Sequence, residues 1–280
     1  MNCLTDLGGN KGLGKPFLKD LNVGNTHLNG GIYINALYKY AVGLRLEGTF
    51  GKVSAYDSIL KPVQATSQGR YQRNLNFRSR INEVSLIAEF HILFLLSSFL
   101  YEDDLNIDDE PPRISPYLAA GIGYFSFNPQ GKVGNNWIDL QPLSLEGQGF
   151  AEYPLRPVYK LTGRSIPLGA GFKYELSDNL NLRAEIIYRV LKTDYLDDVS
   201  IRYVNNKVFS KYFAGTKLQN ALNLSSNDRT NPGAPNTIYR KSEGGIRGDP
   251  TDNDAYFTMN LKLGVTFGRE KRKRSGPRRF

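Results

Sequence analysis

At 280 residues, with 40% hydrophobic residues, 17 Tyr, 15 Phe and 28 Gly, the chain is long enough for one large β-domain or two ordinary ones. No apolar run reaches the ~18 residues of a membrane-spanning helix, and a single cysteine, Cys3, excludes an internal disulfide framework and a cysteine-based zinc cluster. The net charge of +9 gathers in the basic run 269–274 with Arg278 and Arg279, which is expected to be a disordered, solvated tail over 269–280 and not a nucleic-acid-binding arm. A mean hydropathy of -0.41 looks soluble, yet a membrane β-barrel gives the same average because only alternate residues face lipid.

In chain order, residues 7–14 are glycine-rich and read as the close of a badly truncated first strand, with 20–30 as loop. No signal peptide opens the sequence, so an exported protein is expected to be trimmed or mis-started at Met1. Ile32, Ile34, Ala36 and Tyr38 then alternate with Gly31, Tyr33 and Asn35. A very short turn near Tyr40 leads to Val42, Leu44, Leu46, Gly48 and Phe50, opposed by Gly43, Arg45, Glu47 and Thr49. Past a polar connection, 51–78, Val84, Leu86, Ala88, Phe90 and Ile92 oppose Glu83, Ser85, Ile87, Glu89 and His91. The acidic segment 97–113 contains Pro111-Pro112 and reads as loop. Residues 117–127 are aromatic, Ala and Gly on both faces, which leaves their register open.

After a long connection, 128–162, comes the clearest hairpin. Ile166, Leu168, Ala170, Phe172 and Tyr174 face one way; beyond the turn Ser177-Asp178-Asn179, Leu180, Leu182, Ala184, Ile186 and Tyr188 repeat the rhythm. Each arm is about 11 residues, the length of a tilted strand crossing a bilayer. A still longer connection, 192–254, rich in Asn, Ser, Gly and Pro, precedes a last strand with Phe257, Met259, Leu261, Leu263, Val265 and Phe267 against Tyr256, Asn260 and Lys262.

These add up to eight strands in a single domain, 1–268. Short turns alternate with long loops, the layout of an outer-membrane barrel, although the acidic 97–113 sits where a short periplasmic turn belongs. The fold expected is all-β: an eight-stranded antiparallel transmembrane barrel with long extracellular loops, located in the cell outer membrane. Its apolar face meets outer-membrane lipid, and Arg45, Glu47, Glu83, Glu89, Lys173, Glu175, Arg183, Glu185, Arg189 and Lys262 fill the lumen. A secreted lipocalin-like barrel shares the alternation. Strand length, loop asymmetry, aromatic residues at strand ends (Tyr38, Tyr40, Phe50, Tyr188, Phe267) and the assembly-like ending 262–267 favour the membrane.

No nucleophile elbow, phosphate loop, dinucleotide fingerprint or metal-ligand spacing appears. His27 in a loop and His91 in the lumen read as structural. An enzyme is not expected, nor a cofactor, a small-molecule substrate or a nucleic-acid partner. The densest polar cluster is 193–200, where Asp194, Asp197 and Asp198 are candidates for a hard cation such as calcium, against the plainer reading of turn caps paired with arginines.

Several motifs in order carry a resemblance. They include Arg73, Asn74, Phe77 and Arg78 in 73–79, Glu83 in 83–90, Pro116 and Tyr117, Asn128-Pro129, Gln141-Pro142, Glu146-Gly147-Gln148-Gly149, Pro167 in 166–169, Asp194-Tyr195 with Asp197-Asp198, and Arg247-Gly248. Together they resemble the PorG-like outer-membrane barrel family of the type IX secretion system, over residues 7–267. The resemblance implies a non-enzymatic barrel that contacts a periplasmic ring made of a lipoprotein and its partner (PorK and PorN in that system), in a machine for protein secretion and, in some bacteria, gliding. The contact surface is expected on the short-turn side, chiefly in the acidic 97–113. The resemblance assigns no role to the motif positions. The alternative function is a barrel whose surface loops, 51–78, 128–162 and 192–254, bind an adhesive or host ligand.

Overall fold

The computed structural model describes residues 2–4, 25–58, 74–95, 113–226 and 243–267. Arg73, the tail 269–280, the glycine-rich 7–14 and all but Arg113 of the acidic segment lie outside them.

Antiparallel sheet dominates, curled into a half-barrel. Its strands are β1 (Asn2–Leu4), β2 (Gly30–Tyr38), β3 (Val42–Tyr56), β4 (Asn76–His91), β5 (Ile114–Val133), β6 (Asn136–Asp139), β7 (Thr162–Glu175), β8 (Leu180–Leu191) and β9 (Ala255–Val265). The order across the sheet is β1-β9-β8-β7-β5-β4-β3-β2, with β6 folded back on β5. Every predicted hairpin forms, in the register the alternation requires: Tyr38 lies opposite Val42, and Leu168 opposite Tyr188. The Tyr40 turn is tight: three residues, 39–41, join the strands, the Ala41 N–H donates to the Tyr38 carbonyl at 3.0 Å, and Lys39 and Tyr40 both take positive φ, 46° and 57°.

The open register of 117–127 resolves by the same rule. Tyr117, Ala119, Phe125 and Phe127 point to the concave side and are buried, while Leu118, Ile122 and Tyr124 are exposed on the convex side. That convex side is an apolar belt: Ile34, Leu44, Leu86, Leu118, Leu168, Ile186 and Leu261 are all exposed. On β3 the belt runs from Val42 to Phe50 and stops at Lys52; on β4 it stops at Asn82 and Arg80. Nine residues of strand rise about 30 Å, which at the ~40° tilt of membrane barrels is close to their ~25 Å apolar band.

The strands outrun that belt at the long-loop end. β3 continues to Tyr56, β4 starts at Asn76 and β5 reaches Val133, where residues expected to be loop remain strand. Above them a cap is built from 140–161, 192–226 and 243–254. It holds a short helix α1 (Phe209–Tyr212) and a longer one α2 (Gly215–Ser226).

Candidate functional site

Two polar assemblies stand out, one on the concave face of the sheet and one in the cap. On the concave face Arg45 sits 2.6 Å from Glu89 and 2.9 Å from Glu185, and its Nε is 2.9 Å from Glu47. Arg183 donates to both oxygens of Glu89, at 2.7 and 2.8 Å. Lys262 spans Glu47 (2.5 Å) and Glu185 (2.6 Å), and the Tyr117 hydroxyl donates to Glu185 at 2.9 Å. All these groups are buried or nearly so. An isolated ion there would be costly, and mutual pairing is what makes the arrangement tolerable.

Further up, Arg189 bonds Glu83 at 2.8 Å, where Ser165 also donates, and reaches Thr258. His91 shares a hydrogen bond with Ser115 Oγ at 2.7 Å and packs on the Tyr117 ring. Between the ionic layers lie Ile87, Ala119 and Ile187; above them Val53, Phe77, Ile81, Phe125, Phe127 and Tyr256 form an apolar layer toward the long-loop end.

The cap explains most of the motif positions. Glu146 and Gln148 belong to a turn in which Gly147 and Gly149 take φ of +77° and +79°, which glycine adopts without strain. The turn delivers Glu146 Oε1 to the backbone N–H groups of Ser200 (2.9 Å) and Ile201 (3.1 Å), and Gln148 Oε1 accepts from the Glu146 N–H at 3.2 Å. Arg247 lies between two carboxylates, 3.0 Å from Glu146 and 3.3 Å from Asp198, and also donates to the Asp198 carbonyl. The Tyr159 hydroxyl donates to Asp198 Oδ1 at 2.7 Å, Gln141 donates to the Tyr159 carbonyl at 3.3 Å, and Tyr195 stacks on Tyr159 at 4.3 Å. Gly248 is glycine because a Cβ there would stand 2.8 Å from the Ser200 backbone. Pro142 is the second residue of a 3-10 turn, Gln141–Leu143, whose Leu143 joins the cap core with Leu140, Leu145, Phe150, Val204 and Phe209.

Arg78 bonds Gln130 at 2.8 Å and lies 4.3 Å from the ring of Trp137, while Asn128 and Gln130 both donate to Asp139. Phe77 and Pro129 are buried beside them, and Asn74 takes a positive φ of 55° at the foot of β4. Glu83, Tyr117 and Pro167 instead face the concave side of the sheet, and Pro116 lies half-buried on its outer side.

Two like charges share one arginine in the cap. Burial pushes the Asp198 carboxyl up to about 6, with Arg247 opposing and Glu146 adding to the rise. For Arg247 burial works against the charge, but Glu146 and Asp198 more than offset it and hold the guanidinium above its ordinary value. Burial, then the Asp198 charge, raises the Tyr159 phenol.

The aspartates proposed for a cation are employed differently. Asp198 serves Arg247 and Tyr159, and Asp197 Oδ1 accepts from the Val199 N–H at 3.0 Å in its own turn, with Asp194 half-buried nearby. Among the described residues no three acidic, histidine or cysteine side chains converge as metal ligands would. The turn-cap and arginine-pair reading is the one this geometry favours.

Sequence reasoning missed the cap as a unit. The signal was present in Leu218, Ala221 and Leu222, which repeat at helical spacing within a segment read as loop. No protein-family model, curated protein or solved structure matches the chain.

Proposed function

We propose that the chain is an outer-membrane β-barrel with a filled lumen and a folded extracellular cap. Within that class we assign it to the type IX protein secretion machinery, as a non-enzymatic component that contacts the periplasmic ring through its short-turn side. The belt of exposed apolar side chains around a charged concave face supports the membrane reading, because a soluble sheet of this curl would bury its apolar face and wet its ions.

One observation carries the family reading. Motif positions scattered from Gln141 to Gly248 meet in one buried network around Arg247, so the pattern that suggested the family also has one physical cause. The ion pairs that cross the concave face and the apolar layer above them suit a scaffold better than a pore.

The test is purification of the tagged protein from the outer membrane in mild detergent, followed by mass spectrometry. Stoichiometric recovery of a ring lipoprotein and its partner is the expected result. A barrel recovered alone, with secretion unimpaired in its deletion strain, would refute the assignment. The alternative, capture of an adhesive or host ligand by the loops, draws support from Leu155 and Ile246, apolar residues 93% and 69% exposed on the cap. Binding lost on their replacement by serine, with secretion intact, would favour it.

A further inference from the structure

The cations of the sheet divide between its two faces. On the concave face Arg45, Lys173, Arg183, Arg189 and Lys262 are each matched by a carboxylate. On the convex face a second set stands where the apolar belt ends toward the cap. Lys52 follows Phe50 on β3, Arg80 lies beyond Val84 and Asn82 on β4, Arg164 precedes Ile166 on β7, and Lys192 follows Val190 just past β8. At the short-turn end of the belt the same face shows Tyr38, Phe90, Ile114 and Leu176 instead.

The register sets these cations against one another. Lys52 stands directly opposite Arg80 in the β3–β4 ladder. Arg164 stands opposite Lys192, whose N–H donates to the Arg164 carbonyl at 2.8 Å, one step beyond the Ser165–Leu191 pair. Side chains so opposed start about 5 Å apart, and like charges there repel. Among the described residues none of the four is paired with a carboxylate. The glutamates of these strands, Glu47, Glu83, Glu89, Glu175 and Glu185, are all buried on the concave side, and Asp139 accepts from Asn128 and Gln130. The β3–β4 connection adds Lys61, Arg70 and Arg73 to the sequence and, over 58–75, no acid. Arg78, two residues above Arg80, is held by Gln130 and the Trp137 ring and adds a further cation on this side.

We propose that this rim binds the phosphomonoester headgroups of lipids in the leaflet on the cap side, at Lys52 with Arg80 and again at Arg164 with Lys192. The proposal rests on the barrel reading, which puts the end of the belt at the depth of the lipid headgroups. A phosphate set between two opposed cations turns their repulsion into two charge-assisted contacts, and an arginine meets it with a bidentate fork. The apolar surface continues directly beneath each pair, as Phe50 under Lys52 and as Ile166 and Val190 under Arg164 and Lys192. Charge joined to an apolar wall in this way fits a lipid, headgroup and acyl chain together, better than a soluble anion.

The experiment reconstitutes the full chain in phosphatidylcholine vesicles, with and without bis-phosphorylated lipid A, and follows the temperature at which the folded band is lost on SDS gels. The parent is compared with the double variants Lys52→Gln, Arg80→Gln and Arg164→Gln, Lys192→Gln. Lipid A should raise the parent's melting temperature, and the lipid A content that gives half the rise should climb about fivefold for each cation removed. In phosphatidylcholine alone both variants should melt no lower than the parent, because each has lost a repulsion, and a lower melting temperature there counts against the proposal. An equal response of parent and variants overturns it, as does a rise undiminished with dephosphorylated lipid A. A rise given by inorganic phosphate alone makes the ligand a free anion and overturns the lipid assignment. Alkaline extraction of the vesicles separates the two failures. A chain that resists extraction but ignores lipid A sinks this proposal alone, whereas a chain washed off the vesicles sinks the barrel reading and this proposal with it.

Discussion

Replacing Arg247 by methionine isolates the latch of the cap. The guanidinium is buried 3.0 Å from Glu146 and 3.3 Å from Asp198, both of them buried. Methionine keeps much of the side-chain length and removes the charge, so two carboxylates face each other without a cation. Glu146 keeps its two backbone donors, at 2.9 and 3.1 Å, and Asp198 keeps Tyr159 at 2.7 Å, so the loss falls short of two bare ions. Removing one partner of a buried pair costs about 3–5 kcal/mol. With a urea slope of ~2 kcal/mol per molar, the cap midpoint should fall by about 2 M.

Trp137, the single tryptophan, reports this, since it lies on Arg78 and its strand runs into Leu140 of the cap core. Its fluorescence is followed against urea in reconstituted protein, with SDS-gel mobility reporting whether the sheet stays folded. At pH 8 the shift should be full; at pH 5 it should shrink, because Asp198 then takes up a proton. An unchanged midpoint at pH 8 would refute the latch.

Other outcomes follow from the same geometry. Asp198 is raised from 3.8 to about 6 by burial, so the folded state binds its proton more tightly than the unfolded state. Its contribution is complete below pH ~4 and lost as pH rises through ~6, about 3 kcal/mol in all. Asp198→Asn, which tolerates the local φ of 67°, should flatten that part of the cap's pH profile, and a profile identical to the parent's would count against it. Gly248→Ala should destabilise the cap by about 1–3 kcal/mol through overpacking against Ser200, read by earlier tryptic nicking of the loops. Leu86→Arg, at mid-belt, should cost about 2–4 kcal/mol of stability in lipid vesicles; a cost near zero would place that face in water. Glu89→Ala strands Arg183 and takes from Arg45 one of its three carboxylate partners; it should cost about 3–5 kcal/mol, visible as a loss of heat-resistant folded band.

How much was legible depended on how local the cause was. The wall was readable because strand alternation is a nearest-neighbour rule: Leu44, Leu46 and Phe50 declare their face two residues at a time. For 117–127 the rule failed because Ala119, Ala120, Gly121 and Gly123 carry little hydrophobic contrast, and only pairing with β4 and β7 fixes the register. Strand ends were misjudged where β3, β4 and β5 leave the apolar belt, since Lys52, Arg80 and Asn128 turn polar while the ladder continues. In the cap the motif residues were visible but not their purpose. The contact of Glu146 with Arg247 is separated by about a hundred residues, and no pattern within one segment announces its partner.

The position of the latch along the chain couples two loops. Glu146 lies on the connection before β7, whereas Asp198 and Arg247 lie near opposite ends of the one connection between β8 and β9. The cap therefore forms only when both connections fold back over the β7–β8 hairpin, and loosening either one exposes the network that holds the other.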